Sequence, residues 1–171
     1  MNYRPKKVAV LGSGVMGSGI ACHLANVGMD VIMLDIVTPK LSDNDSKSKF
    51  HRNKLVNSAL QKTIKSKPAP LYHKSFTSRI KTGNFEDDFD KISESDWIIE
   101  VVVENLEIKK QIFEKVDKHR KNGSLVSSNT SSIPINLLAQ DCSNDFKSCF
   151  CGTHFFNPVR YLKLLEIIPI E

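Results

Sequence analysis

Val8-Ala9-Val10-Leu11-Gly12-Ser13-Gly14-Val15-Met16-Gly17 is the stretch that decides the fold. Its first four residues form a short apolar run that Gly12 stops. Met16, Ile20, Leu24 and Val27 then recur at helical spacing until Gly28 ends the element. Val31-Ile32-Met33-Leu34 is a second apolar run and ends in Asp35, which completes a strand, glycine turn, helix, strand unit of about thirty residues. Apolarity that is continuous rather than alternating suits strands of a parallel sheet covered on both faces. The expected class is therefore α/β, a Rossmann-like, mostly parallel sheet with flanking helices.

Outward from this unit, residues 38–75 interrupt the alternation. A Ser/Asn/Lys-rich approach leads into a helical stretch carrying Leu55, Val56, Leu60 and Ile64, which breaks at Pro68-Ala69-Pro70. This reads as an inserted helical arm, and it is basic: from Lys40 to Lys67 there are eight Lys/Arg against Asp43 and Asp45. The net charge of +5 thus belongs to one segment, which argues against a nucleic-acid surface spread over the domain. A local patch facing a small polyanion and a solvated helix face both fit. Alternation resumes with a strand over Trp97 to Glu104, an amphipathic helix over 106–120 and a strand over Ser124 to Ser127. A short helix is expected with Pro134 in its first turn, then two late strands over Cys149 to Gly152 and Leu162 to Ile168.

At 171 residues, with 40% hydrophobic and 25% charged residues, the chain suits one soluble domain over 1–171. No apolar stretch approaches the ~20 residues of a spanning helix, and residues 1–7 lead into the first strand without a signal-peptide core, so a cytoplasmic address is expected. Cys22, Cys142, Cys149 and Cys151 lie in or beside apolar runs without metal-ligand spacing and read as reduced core thiols, with no metal expected.

A GxGxxG turn that follows a strand and opens a helix lets backbone N–H groups approach a pyrophosphate, which makes Gly12, Gly14 and Gly17 candidate dinucleotide contacts. Asp35, eighteen positions after Gly17, can accept from both ribose hydroxyls. Its charge would repel a 2′-phosphate, and Ile36-Val37 offers no arginine to receive one. NAD is the cofactor these residues imply.

Near the far end, Gly152-Thr153-His154-Phe155-Phe156-Asn157-Pro158 holds one imidazole after a strand at the expected carboxyl edge of the sheet, with Asn157-Pro158 fixing the chain behind it. Glu166 interrupts the apolar run Leu164-Leu165-Glu166-Ile167-Ile168 and is costly to bury without a partner. A His154–Glu166 pair would resolve both oddities, giving a proton acceptor with a carboxylate behind it. Ser128-Asn129-Thr130-Ser131-Ser132 gathers hydroxyls at a strand-end loop, where they serve either a site or the cap of the short helix.

The glycine turn, Val102-Val103-Glu104-Asn105-Leu106 followed by Lys109, SNTSS at 128–132, and GTHFFNP followed by KLLEIIP together resemble the NAD-binding domain of L-3-hydroxyacyl-CoA dehydrogenases. PAPLY (68–72) and RYLKLLEIIP (160–169) are closer to the bacterial branch often fused to an enoyl-CoA hydratase. The resemblance implies NAD-dependent oxidation of 3-hydroxyacyl-CoA in fatty-acid β-oxidation, with His154 as base, Glu166 as its orienting partner and Ser131 near the reacting oxygen and the nicotinamide ribose. It implies that Glu104, Lys109 and Asn157 line the cofactor with Met16, Val102 and Val103, and that the basic arm covers acyl-CoA through Ser58 and Lys65. It also implies a helical C-terminal domain beyond Glu171 and a homo-oligomeric parent. A β-hydroxyacid dehydrogenase of another family and a non-catalytic NAD-binding module are the alternatives.

Overall fold

Four apolar residues in register with two neighbours place the first strand in the interior of the sheet. The computed structural model describes residues 4–170, so the ends of the expected domain, residues 1–3 and 171, lie outside the described residues. The strands are β1 (Lys7–Leu11), β2 (Asp30–Asp35), β3 (Ile80–Asn84), β4 (Trp97–Glu100), β5 (Leu125–Ser128), β6 (Phe150–Phe155) and β7 (Leu165–Pro169). They form one sheet in the order β3-β2-β1-β4-β5-β6-β7, with the first six parallel and β7 antiparallel to β6.

The helices are α1 (Val15–Asn26), α2 (Asp43–Ser46), α3 (Lys49–Arg52), α4 (Lys54–Ile64), α5 (Leu106–His119), α6 (Ile135–Leu138) and α7 (Asn144–Ser148). Along β1 the side chains alternate between two cores. Val8 and Val10 meet Ile20 and Leu24 of α1 with Val56 and Leu60 of α4, and Ala9 and Leu11 meet Ile112, Phe113 and Val116 of α5 with Phe146 of α7. Each large side chain so buried contributes roughly 1.5–3 kcal/mol. The continuous apolarity of the β1 sequence follows from this two-sided burial.

Several boundaries differ from the sequence reading, each for a local reason. β4 stops at Glu100 rather than Glu104, because the Val102 N–H donates to the Glu100 side chain (2.7 Å) and turns the chain out of the ladder. Pro134 is the residue before α6 rather than in its first turn, its ψ of 124° being extended. The arm is three short helices, with Ser42 capping α2 and Asn53 breaking α3 from α4. β3 has no apolar run to announce it: Ile80-Lys81-Thr82-Gly83-Asn84 pairs in parallel with β2, and Thr82 and Asn84 are tied to Asn57 and Asn53 of the arm. β6 runs on to Phe155, so His154 lies within the strand.

The chain builds outward from β1 through β2 to β3, then returns to β4 on the other side. The loops leaving β1 and β4 therefore diverge, and a crevice opens at the carboxyl ends of the parallel strands.

Candidate functional site

That crevice is a cleft of about 1030 Å³. Gly12 to Met16 line it, as do Asp35 from β2, Val101 to Glu104 after β4, Asn129 and Ser131 after β5, and His154 to Asn157 from β6 and beyond. The strand order puts Asp35 and His154 at opposite ends.

The glycines shape its floor. Gly12 has φ +112°, and a Cβ there would stand 2.5 Å from the Val101 carbonyl oxygen. A Cβ on Gly17 would come within 2.0 Å of the Gly12 carbonyl oxygen, so α1 can start this close to the turn only without one. Gly14 opens onto free space and begins α1 with no side-chain cap and no acidic residue in the first turn. The positive end of the helix thus faces the cleft, as a pyrophosphate requires. Asp35 accepts from the Ser13 N–H (2.6 Å) and hydroxyl (2.5 Å) through one oxygen and from the Ile36 N–H (2.7 Å) through the other, which holds its carboxylate beside the turn where a ribose would lie.

At the other end, the β6–β7 register pairs His154 with Glu166, and His154 Nδ1 stands 2.7 Å from Glu166 Oε2. The pairing that the sequence could only suggest is made by strand geometry. Glu166 is not buried, however: its side chain is 51% exposed, and β7 is exposed along its length. Phe156 stacks on the imidazole at 4.5 Å between centroids.

Between these ends a buried ion cluster holds the wall. Glu100 and Lys109 side chains are 0% and 1% exposed and meet at 2.6 Å, and Lys109 also lies 3.3 Å from Glu104. Glu100 accepts further from the Ser128 hydroxyl (2.5 Å), and Glu104 from the Thr130 and Ser132 hydroxyls and the Ser131 and Ser132 N–H groups. Burial pushes the Glu100 carboxyl upward, against the pull of Lys109 and Ser128. Burial acts in the same sense on Glu104, but Thr130, Lys109 and Ser132 together outweigh it and hold its carboxyl at about 2. The hydroxyls of SNTSS therefore serve the site's wall, and α6 has no side-chain cap from them. Asn129 adds the last tie, its side chain accepting from the Phe155 N–H (2.8 Å) and fixing β5 to β6 beside His154.

The glycine turn, the Asp35 carboxylate and the His154 imidazole share one cleft. Residues 7–171 match the family described as 3-hydroxyacyl-CoA dehydrogenase, NAD binding domain. The chain belongs to that family. It is 58% identical over 177 residues to a probable 3-hydroxyacyl-CoA dehydrogenase of Bacillus subtilis, covering 100% of this chain and 22% of the relative. It is 44% identical to a putative fatty acid oxidation complex trifunctional enzyme of Rickettsia felis, covering 98% of this chain and again 22% of the relative. Among solved structures it is similar to (S)-3-hydroxybutyryl-CoA dehydrogenase from Ralstonia eutropha, with a TM-score of 0.70, 33% identity, and coverage of 96% of this chain and 54% of that one. The chain thus spans about a fifth of the length of the two curated relatives.

For this NAD-binding domain the cofactor residues read from the sequence sort into two groups. Gly12, Gly14, Met16, Asp35, Val102, Val103, Glu104, Ser131 and Asn157 line the cleft. Gly17 and Lys109 stand behind it, one permitting the close start of α1 and the other holding Glu104. Ser58 and Lys65 are exposed and line neither this cleft nor a second one of about 480 Å³, where Lys62, Thr63, Ser66 and Lys67 face Asn157 to Tyr161.

Sequence reasoning missed Glu100, Ser13 and Asn129. Glu100 was the findable one: a carboxylate closing the apolar run Trp97-Ile98-Ile99 raises the same cost of burial that singled out Glu166. Among the described residues no three His, Cys, Asp or Glu side chains group as a metal site, and no helix is long and apolar enough to cross a membrane. The four cysteines are free thiols, but only Cys22 and Cys142 are core residues, pushed by burial up to about 12 and about 11, while Cys149 and Cys151 are half-buried.

Proposed function

We propose that the protein carrying this chain oxidises L-3-hydroxyacyl-CoA to 3-ketoacyl-CoA with NAD, as a step of fatty-acid β-oxidation, and that residues 1–171 are its cofactor-binding half. The observation that carries the reading is the His154–Glu166 pair on the same cleft as the glycine turn and Asp35. Bound NAD supplies the acceptor for the hydride that leaves C3.

The chain's own residues handle the proton. Glu166 accepts from Nδ1–H of His154 and so leaves Nε2 of the neutral imidazole unprotonated, the tautomer that can take a hydroxyl proton. As the imidazole becomes charged, the carboxylate 2.7 Å away stabilises it. Ser131, which lines the cleft, would hydrogen-bond near the reacting oxygen and the nicotinamide ribose. Glu104, Ser128 and Lys109 keep that wall rigid, and a well-held geometry is itself worth several kcal/mol of barrier.

Acyl-CoA is the proposed substrate class. The second cleft supports it, since Lys62, Lys67 and Arg160 bring positive charge to a groove that shares Ser13, Gly14, Val15 and Asn157 with the first. A further proposal is that a helical region beyond Glu171 completes the substrate site and the oligomer. Leu165, Ile167 and Ile168 on edge strand β7 are exposed, an apolar surface of the kind such a region covers. A cytoplasmic address belongs to the same proposal.

Acetoacetyl-CoA-dependent oxidation of NADH by the full-length gene product tests this reading. Turnover supports it; a protein that binds NADH yet leaves acetoacetyl-CoA untouched would instead favour a non-catalytic NAD-binding module.

A further inference from the structure

Asp35 is not the sole carboxylate at the adenosine end of the cleft. Its register partner on β3 is Asn84, and the Phe85 N–H donates to the Asp35 carbonyl (2.8 Å), so the chain leaving β3 brings Phe85 and Glu86 into the cleft wall with Asp35, Ile36 and Val37. Behind this wall stands Arg52 of the arm. Thr38, three residues past Asp35, donates to the Arg52 carbonyl through its N–H (2.9 Å) and its hydroxyl (3.0 Å), which ties the arginine backbone to the same strand end.

The guanidinium is held by two carboxylates. Nε and Nη2 take both oxygens of Asp87 (2.7 and 2.8 Å), and Nη2 also meets Glu86 Oε2 at 2.7 Å. Nη1 has only a 3.5 Å contact with the Ser46 carbonyl. The arginine side chain is 20% exposed and that of Glu86 66%, so the carboxylate faces the solvent side and the cation lies beneath it. Lys49 and Lys91 both pair with the buried Asp88, leaving the Arg52 group with two negative charges against one positive, and Lys115 of α5 is the further cation lining this cleft.

An arginine near the end of the second strand is what a 2′-phosphate requires, because its planar fork matches phosphate oxygens. Here such a guanidinium is present, but its outward edge is spent on Glu86. We propose that Glu86, acting through Arg52, is a specificity-determining residue for the dinucleotide: it masks the cation and adds a second negative charge to the rim beside Asp35. A 2′-phosphate would then meet two carboxylates with Arg52 masked, leaving Lys115 as the cation of the cleft lining, whereas the ribose hydroxyls of NAD meet Asp35 undisturbed. The inference rests on the NAD-binding cleft and is independent of the reaction proposed at its other end.

The test is titration of the chain with NADH and NADPH by nucleotide fluorescence, for the native protein, Glu86→Gln, Arg52→Gln and the double variant. Glu86→Gln should tighten NADPH binding by about tenfold, equivalent to ~1.4 kcal/mol, while NADH affinity changes less than about threefold. Adding Arg52→Gln should abolish that gain. An NADPH affinity unmoved by Glu86→Gln overturns the proposal, as does a gain that survives loss of the guanidinium. If Arg52→Gln disturbs folding, Glu86→Gln with Arg52→Lys replaces it and should keep part of the gain, a full loss counting against the proposal. NADH binding by the native chain is the separate control: its failure would count against the cofactor cleft, not against the role of Glu86.

Discussion

His154 and Glu166 face each other in register across the antiparallel β6–β7 ladder, Nδ1 to Oε2 at 2.7 Å, although twelve residues separate them in sequence. The imidazole and carboxylate, the proton acceptor and orienting partner of the proposed reaction, are thus paired by the backbone ladder at the sheet edge. Glu166→Gln should lower kcat of the full-length protein about tenfold or more and leave NADH affinity nearly unchanged, since the amide keeps the contact but loses the charge that stabilises the imidazolium. Steady-state kinetics beside an NADH titration checks this, and a change confined to KM would contradict it.

Asp35 predicts the cofactor preference. Its two oxygens hold the Ser13 and Ile36 N–H groups at the ribose end of the cleft. The native chain should bind NADH at least about tenfold more tightly than NADPH, and Asp35→Ala should narrow that ratio mainly by weakening NADH. Equal affinities in the native chain would contradict the assignment.

Lys109 predicts a large stability effect. Lys109→Met leaves the Glu100 carboxylate, 0% exposed, without its cation, and breaking a buried pair in this way costs about 3–5 kcal/mol. Adding Glu100→Gln removes the stranded charge, so the double variant should recover part of the loss in denaturant unfolding. A double variant less stable than Lys109→Met would show that the pair is not coupled as described.

Glu104 predicts a pH dependence. Its carboxyl lies at about 2 in the folded protein against an ordinary 4.5, so its ionised form stabilises the fold above pH 4.5. That contribution is lost as the pH falls from 4.5 toward 2. Melting temperatures of the native chain and Glu104→Gln should therefore differ most near neutral pH and converge in acid. A gap that widened on acidification would contradict the sign.

The sequence was most legible where side-chain chemistry and spacing coincide. Gly12, Gly17 and Asp35 each follow from one requirement, a Cβ-free approach or a carboxylate at a strand end, and each stands where that requirement puts it. His154 and Glu166 were legible as two misfits, but their meeting depends on an antiparallel register that no local spacing encodes. β3 was illegible because Lys81, Thr82 and Asn84 give it no apolar period, and its place comes from β2 beside it and the arm above it. Lys109 entered as a cofactor-lining residue through the family resemblance alone, and no local spacing marks it as a buried ion-pair partner. Its burial against Glu100 depends on α5 crossing behind β4, a tertiary fact.

In the proposed reaction His154 moves the proton for a hydride transfer housed in this cleft, and kinetics of His154→Gln in the full-length protein with acetoacetyl-CoA and NADH tests that role. The substitution should lower kcat by about 10²–10⁴, the share of a general acid–base group, with the NADH dissociation constant within about threefold of the native value. Turnover within about threefold of the native protein would contradict it.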